Sequence, residues 1–193
     1  MNENKLVPRW GIIAFVVFLV ALSRLVPHAF GVPQLFNFSP IGGIALFGAA
    51  YFARKQMAFL LPILALWVSN LLLDNVYYAA YYDGFAWFTN WEIYLTVALL
   101  VVLGIFFLKK ITPLRLLGAS LSASVLFFLV SNFFVWSSGT MYTKNLAGFV
   151  ACYIAAIPFF WNTLAGDLFY VALLFGVFEW VKKQRPSLVM ERG

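Results

Sequence analysis

From Gly11 to Pro27 the chain carries a single charged side chain, Arg24, and comparable apolar runs recur to its far end. They lie at Ile41 to Ala53, Met57 to Leu73, Trp91 to Leu108, Arg115 to Trp136, Leu146 to Trp161 and Thr163 to Val181. A helix needs about 20 apolar residues to cross a hydrocarbon core roughly 30 Å thick, so most of these runs suit a membrane span. The alternative is a soluble domain, and composition rules it out. With 64% hydrophobic and 10% charged residues in 193, and a mean hydropathy of +0.91, a folded chain of this size cannot hide its apolar surface from water. The sequence therefore reads as an all-α membrane protein.

Orientation follows from the basic residues. Lys5, Arg9, Arg54, Lys55, Lys109, Lys110, Arg115, Lys182, Lys183, Arg185 and Arg192 fall at one set of run ends, leaving Arg24 and Lys144 opposite, provided Leu146 to Trp161 does not cross. Cytoplasmic loops collect Lys and Arg, so this split predicts six spans with both termini cytoplasmic. The expected spans are residues 8–27, 36–53, 57–74, 91–108, 115–136 and 163–181, in one domain covering 1–193. Residues 146–161 are expected to form an extra outer-side interfacial or re-entrant helix. The run from Ile41 is short, so it must borrow Phe36 to Pro40 or sit deep in the bundle. The formal net charge of +6 is accounted for by this topology rather than by a nucleic-acid partner.

Charged and amide groups at membrane depth are costly, which makes them the pointers to a site. Arg24 lies in the outer part of the first span, Asp74 closes the third, and Asp167 sits one turn into the last. Asn70 and Asp74 are four apart and share a helical face; Asn132 and Trp136 do the same in the fifth span, and Thr163, Asp167 and Tyr170 in the sixth. With Asn162, these residues form a candidate substrate-binding set: Arg24, Asn70, Asp74, Asn132, Trp136, Asn162 and Asp167. A pocket for a small polar molecule explains them, as does a purely structural network in which Arg24 pairs with a carboxylate, or a proton or ion relay. The segment from Asn75 to Asn90 is rich in Tyr, Phe and Trp, which fits either an interfacial aromatic belt or a lid over an outward pocket.

Ala45, Ala49 and Ala53 recur at four-residue intervals. Such a small-residue face lets helices approach closely, either within the chain or in docking another membrane subunit. Enzymatic readings find little material. A phosphate-binding glycine loop is missing, the acidic residues Asp74 and Asp83 stand nine apart, and one histidine, His28, with one cysteine, Cys152, offers neither a metal cluster nor a convincing acyl-transfer triad. The expectation is a non-enzyme without cofactor or metal.

The stretch Asn37-Phe-Ser-Pro-Ile-Gly-Gly-Ile-Ala-Leu-Phe-Gly-Ala-Ala-Tyr-Phe, followed by Leu61-Pro62 and by Ser69-Asn70 to Asp74, resembles a family of small bacterial membrane proteins. These in turn look like substrate-binding S-components of energy-coupling factor (ECF) transporters, and the resemblance runs on through Leu146-Ala-Gly to Gly166-Asp167. It implies a bacterial inner-membrane subunit that binds a vitamin or related micronutrient near the outer surface. It also implies a coupling membrane subunit with two ATPases as partner. In S-components an alanine pair at i and i+4 docks that subunit from the first span; here the spacing occurs in the second, at Ala45, Ala49 and Ala53. The rival class is a membrane scaffold or accessory subunit whose polar network is structural.

Overall fold

The computed structural model of the chain describes residues 10–32 and 35–184. Lys5, Arg9, Arg185 and Arg192 of the basic set, and the first two residues of the expected span 8–27, lie outside the described residues. Among the described residues every long element is helical: α1 (Trp10–Ala29), α2 (Ile41–Tyr51), α3 (Lys55–Val76), α4 (Trp91–Phe107), α5 (Pro113–Ser138) and α6 (Leu146–Gln184), with a 3-10 turn at Ala79–Tyr81. By length and apolar character α3, α5 and α6 can each cross a membrane.

α2 is the centre of the bundle. It packs against α3, α4, α5 and α6, and nine of its eleven residues are buried. At 1.5 Å per residue it is only about 16 Å long, half of a bilayer core. Of the expected 36–53 stretch only Ile41–Tyr51 is α-helical: residues 36–40 are not helical, and α2 begins at Ile41 behind Pro40, which takes φ −75° at the helix entry. Its small residues make the crossings tight. A Cβ on Gly43 would sit 2.9 Å from Cβ of Tyr170 on α6, and a Cβ on Gly104 of α4 would sit 2.7 Å from Cβ of Ala49. Ala45 and Ala49 are 0% and 2% exposed, and Ala53 lies beyond the end of the helix. Ala45 and Ala49 are therefore closed off within the chain, whereas Ala53 is half-buried. Ala49→Leu should consequently cost about 1–3 kcal/mol by overpacking against Gly104 and Leu46. A fall in the thermal-unfolding midpoint in detergent checks it; an unchanged midpoint would show that the crossing is loose.

α6 differs from expectation as well. The stretch 146–161 is not a separate interfacial helix but the beginning of a 39-residue helix about 58 Å long. It runs antiparallel along α5: Tyr153 Oη donates to the Leu129 carbonyl at 2.7 Å, Phe160 packs on Phe128, and Ser124 Oγ donates to Asp167 Oδ2 at 2.7 Å. Pro158 does not break it, and residues 161–163 carry no glycine or proline that could end a helix. Asp167 consequently stands beside the middle of α5 rather than one turn below an outer surface. α1 packs along α3, and α5 starts at Pro113 under a Thr112 cap whose hydroxyl accepts from the Arg115 N–H at 3.3 Å.

Candidate functional site

Where residues 35–40 leave helical geometry, they cover a cavity. In lipid, irregular backbone is tolerated where it is buried in protein or lines a cavity, because nothing in hydrocarbon satisfies its polar groups. Here several partners do so. Phe38 N–H donates to the Leu35 carbonyl at 3.0 Å, Asn162 Nδ2 donates to the Phe36 carbonyl at 3.1 Å, and Asn37 takes φ 71°, a left-handed conformation asparagine tolerates. Gly166 lets α6 run close underneath: a Cβ there would lie 3.1 Å from the Ser39 nitrogen. Asn162 thus supports the cover of the site, although it is not among the residues that line it.

The cavity has a volume of about 190 Å³ and is walled by Arg24 and His28 of α1, residues 35–39, Gly42 at the start of α2, Tyr78, and Thr163 and Asp167 of α6, with Leu66, Val97 and Phe127 as apolar lining. Asp167 is 3% exposed. Its Oδ2 accepts from Ser124, while Oδ1 lies where a side chain on Gly42 would otherwise be. The N-terminal turn of α2, where Ile41 N–H donates to Ser39 Oγ at 3.4 Å, therefore presents its positive dipole end to a carboxylate, the favourable sign.

Arg24 forms the other charged wall. Its Nη1 donates to Ser69 Oγ and, at 2.7 Å, to Asn70 Oδ1. Nothing else among the described residues accepts from its remaining guanidinium N–H groups. The one ion pair among the described residues is Lys182 with Glu179, at 3.4 Å. Arg24 therefore contacts neither Asp74 nor Asp167 directly. Asp74, 5% exposed, accepts instead from the Thr89 hydroxyl, and Asn70 Nδ2 reaches Tyr94 Oη at 3.4 Å. Asn70 and Asp74 form the layer behind Arg24 and do not line the cavity.

Asn132 and Trp136 are not brought to the site. Asn132 Nδ2 donates to the Phe128 carbonyl of its own helix at 2.8 Å, and Trp136 Nε1 donates to the Thr143 carbonyl at 3.0 Å, beside Phe149. The first part of α6 likewise packs on α5 instead of closing over the cavity. Of the aromatic segment 75–90, Tyr78 alone lines the cavity, whereas Tyr81, Trp87 and Phe88 point outward. Asn75 pins this segment by exchanging two hydrogen bonds with Ala86, at 2.9 and 3.0 Å.

Sequence reasoning missed His28 as a wall residue. The ring stacks on Phe36 with centroids 4.1 Å apart. Its Nδ1 lies 2.9 Å from the Arg24 carbonyl, which can only accept, so Nδ1 carries a proton. In the neutral ring Nε2 accepts from Tyr78 Oη at 2.8 Å. Burial, with Asp74 nearby, holds the Tyr78 phenol above its ordinary pKa, which keeps that donor protonated. The available signal was position: His28 follows Arg24 by four residues and shares its face.

One family description, that of a family of unknown function (DUF6580), matches residues 4–188. The chain belongs to the DUF6580 family. That match spans α1 to α6 entire, cavity included, and carries no activity with it. No curated protein and no solved structure matches the chain.

Proposed function

We propose that this DUF6580 member is the substrate-binding subunit of an uptake system. It holds a small polar, vitamin-like molecule in the cavity between Arg24 and Asp167 and is energised by a partner complex, as S-components are. The observation that carries the reading is that two opposite charges face one cavity without pairing. Buried charges that do not compensate each other are costly, and a ligand bridging them removes the cost. The protein acts as a binder rather than an enzyme: apart from the two charged groups, the walls offer His28 engaged at both ring nitrogens, amides, hydroxyls and hydrocarbon. Asn70 and Asp74, each with a protein partner, belong to a supporting network that holds Arg24 in place.

In this reading the six helices are six crossings of the bacterial inner membrane, with α2 completed by the non-helical 36–40 segment and both termini in the cytoplasm. Docking of a coupling membrane subunit with two ATPases then uses a face other than Ala45 and Ala49, which are buried. Reporter fusions after Lys110 and after Gly193 should both report cytoplasm; an external C-terminus would remove the six-crossing topology. The function itself is tested by thermal-shift or native mass spectrometry screening of the purified protein against a panel of vitamins and other small polar metabolites. A saturable stabiliser is the expected result. A wild-type protein that binds none of them, while Arg24 and Asp167 variants lose stability alone, would leave a membrane scaffold as the function.

A further inference from the structure

The cavity is small for a ligand site. Pockets that enclose a complete organic ligand usually measure about 300–1,000 Å³, and this one is about 190 Å³. It does not end at its polar walls, however. A second, apolar groove of about 380 Å³ lies between α1 and α6 and shares Ser23, Pro27, Leu35 and Phe38 with the cavity. From that junction the groove follows α1 past Val26 and Leu22 to Leu19, each more than 40% exposed on the outside of the bundle. Tyr170 forms its α6 side.

Direction decides what fits. Pro27 to Leu19 spans eight residues, about 12 Å along α1 away from its outer end. Arg24 meets Asn70, fifteen residues or about 22 Å up α3 from Lys55, whereas Asp167 meets Ser124 in the middle of α5. Arg24 therefore marks the outer half of the bundle, and the groove descends from the level of the cavity mouth toward the midplane. An outer-leaflet amphiphile has the same arrangement, with a polar head above and a hydrocarbon chain pointing to the membrane centre. The head would be anionic. The guanidinium is planar, one of its nitrogens is taken by Ser69 and Asn70, and its other N–H groups have no acceptor among the described residues, a fork that suits a carboxylate or phosphate.

We propose that the ligand of this site is a single-chain amphiphile with an anionic head, which enters sideways from the bilayer between α1 and α6. The head lies against Arg24 in the cavity and the chain lies in the groove from Phe38 to Leu19. This rests on the binding-subunit reading and departs from it in ligand class, with an anionic amphiphile in place of a small polar metabolite. The walls contributed by Ser23, Pro27, Leu35 and Phe38 are then the passage between the polar and the apolar parts.

The test uses the full-length protein in phosphatidylcholine nanodiscs with a photoreactive palmitic acid carrying a mid-chain diazirine, and maps the labelled residues by mass spectrometry. Saturable labelling concentrated on Leu19, Leu22, Val26 and Tyr170 is expected, and it should fall at least tenfold in Arg24→Gln. Leu22→Trp, which leaves Arg24 untouched and fills the groove from a lipid-facing position, should lose the same labels, so the result does not depend on the stability of the Arg24 variant. Competition by unlabelled palmitate but not by phosphatidylglycerol assigns a free single-chain acid. Competition by both overturns the single-chain ligand and assigns the anionic head to a bilayer lipid. Labelling spread over all lipid-facing helices, indifferent to both variants, overturns the amphiphile. If a water-soluble metabolite nonetheless stabilises the protein, the binding-subunit reading survives that failure; if none does, both fall.

Discussion

Replacing Gly42 with valine is expected to be among the most damaging single changes in this protein, with a cost at the upper end of the 1–3 kcal/mol typical of overpacking. The reason is local. A Cβ at Gly42 overlaps Oδ1 of Asp167, a contact that cannot be relieved by rotating a flexible chain end because the carboxyl is 3% exposed and tied to Ser124. Either α2 moves, disturbing its crossings with four other helices, or the carboxylate is driven from the helix N-terminus that faces it. The added methyls also fill part of a cavity of only about 190 Å³, so ligand binding should be lost with stability. Thermal unfolding with and without the stabilising ligand measures both. Gly118→Ala is the control: a Cβ there meets nothing within 4 Å, and the change in midpoint should be small or positive. Equal effects at the two glycines would show that Gly42 and Asp167 are not in contact.

Arg24→Gln should have the largest effect on binding. The shorter amide can still reach toward Ser69 or Asn70, but the charge and the remaining fork of N–H donors are gone. A hydrogen bond to a charged group contributes about 1.5–3 kcal/mol, which corresponds to a loss of about 10- to 150-fold in affinity for an anionic ligand. Titration of wild type and variant by native mass spectrometry or by ligand-induced shift in melting temperature checks this. Unchanged affinity would place the ligand elsewhere. Asn132→Ala, by contrast, should leave affinity unaltered, because Asn132 bonds to its own helix and lines no part of the cavity.

What the sequence determined by itself follows from local chemistry. The cost of exposing so much hydrocarbon to water makes apolar helices the reading of these runs, three of them long enough to cross a membrane, and every helix but α6, which the sequence divided in two near Asn162, announces itself through one run bounded by basic clusters, prolines or turns. The same cost singled out Arg24 and Asp167, since a charge among apolar residues is conspicuous without any neighbour being known. Tertiary structure alone decided which polar residues meet. Asn70 and Asp74 share a face with each other, yet rotation of α3 sets them behind Arg24 rather than on the cavity wall. Asn132 and Trp136 have an identical spacing and look away altogether. Periodicity gives the angle between two residues on one helix and says nothing of how that helix is turned relative to the next, which is settled by packing at sites such as Gly42, Gly43 and Gly104. The surroundings of Asp167 were hidden for a related reason. A run of apolar residues does not record which part of the next helix it will face, and only the antiparallel alignment of α6 with α5 placed that carboxylate opposite the middle of α5, beside the short α2.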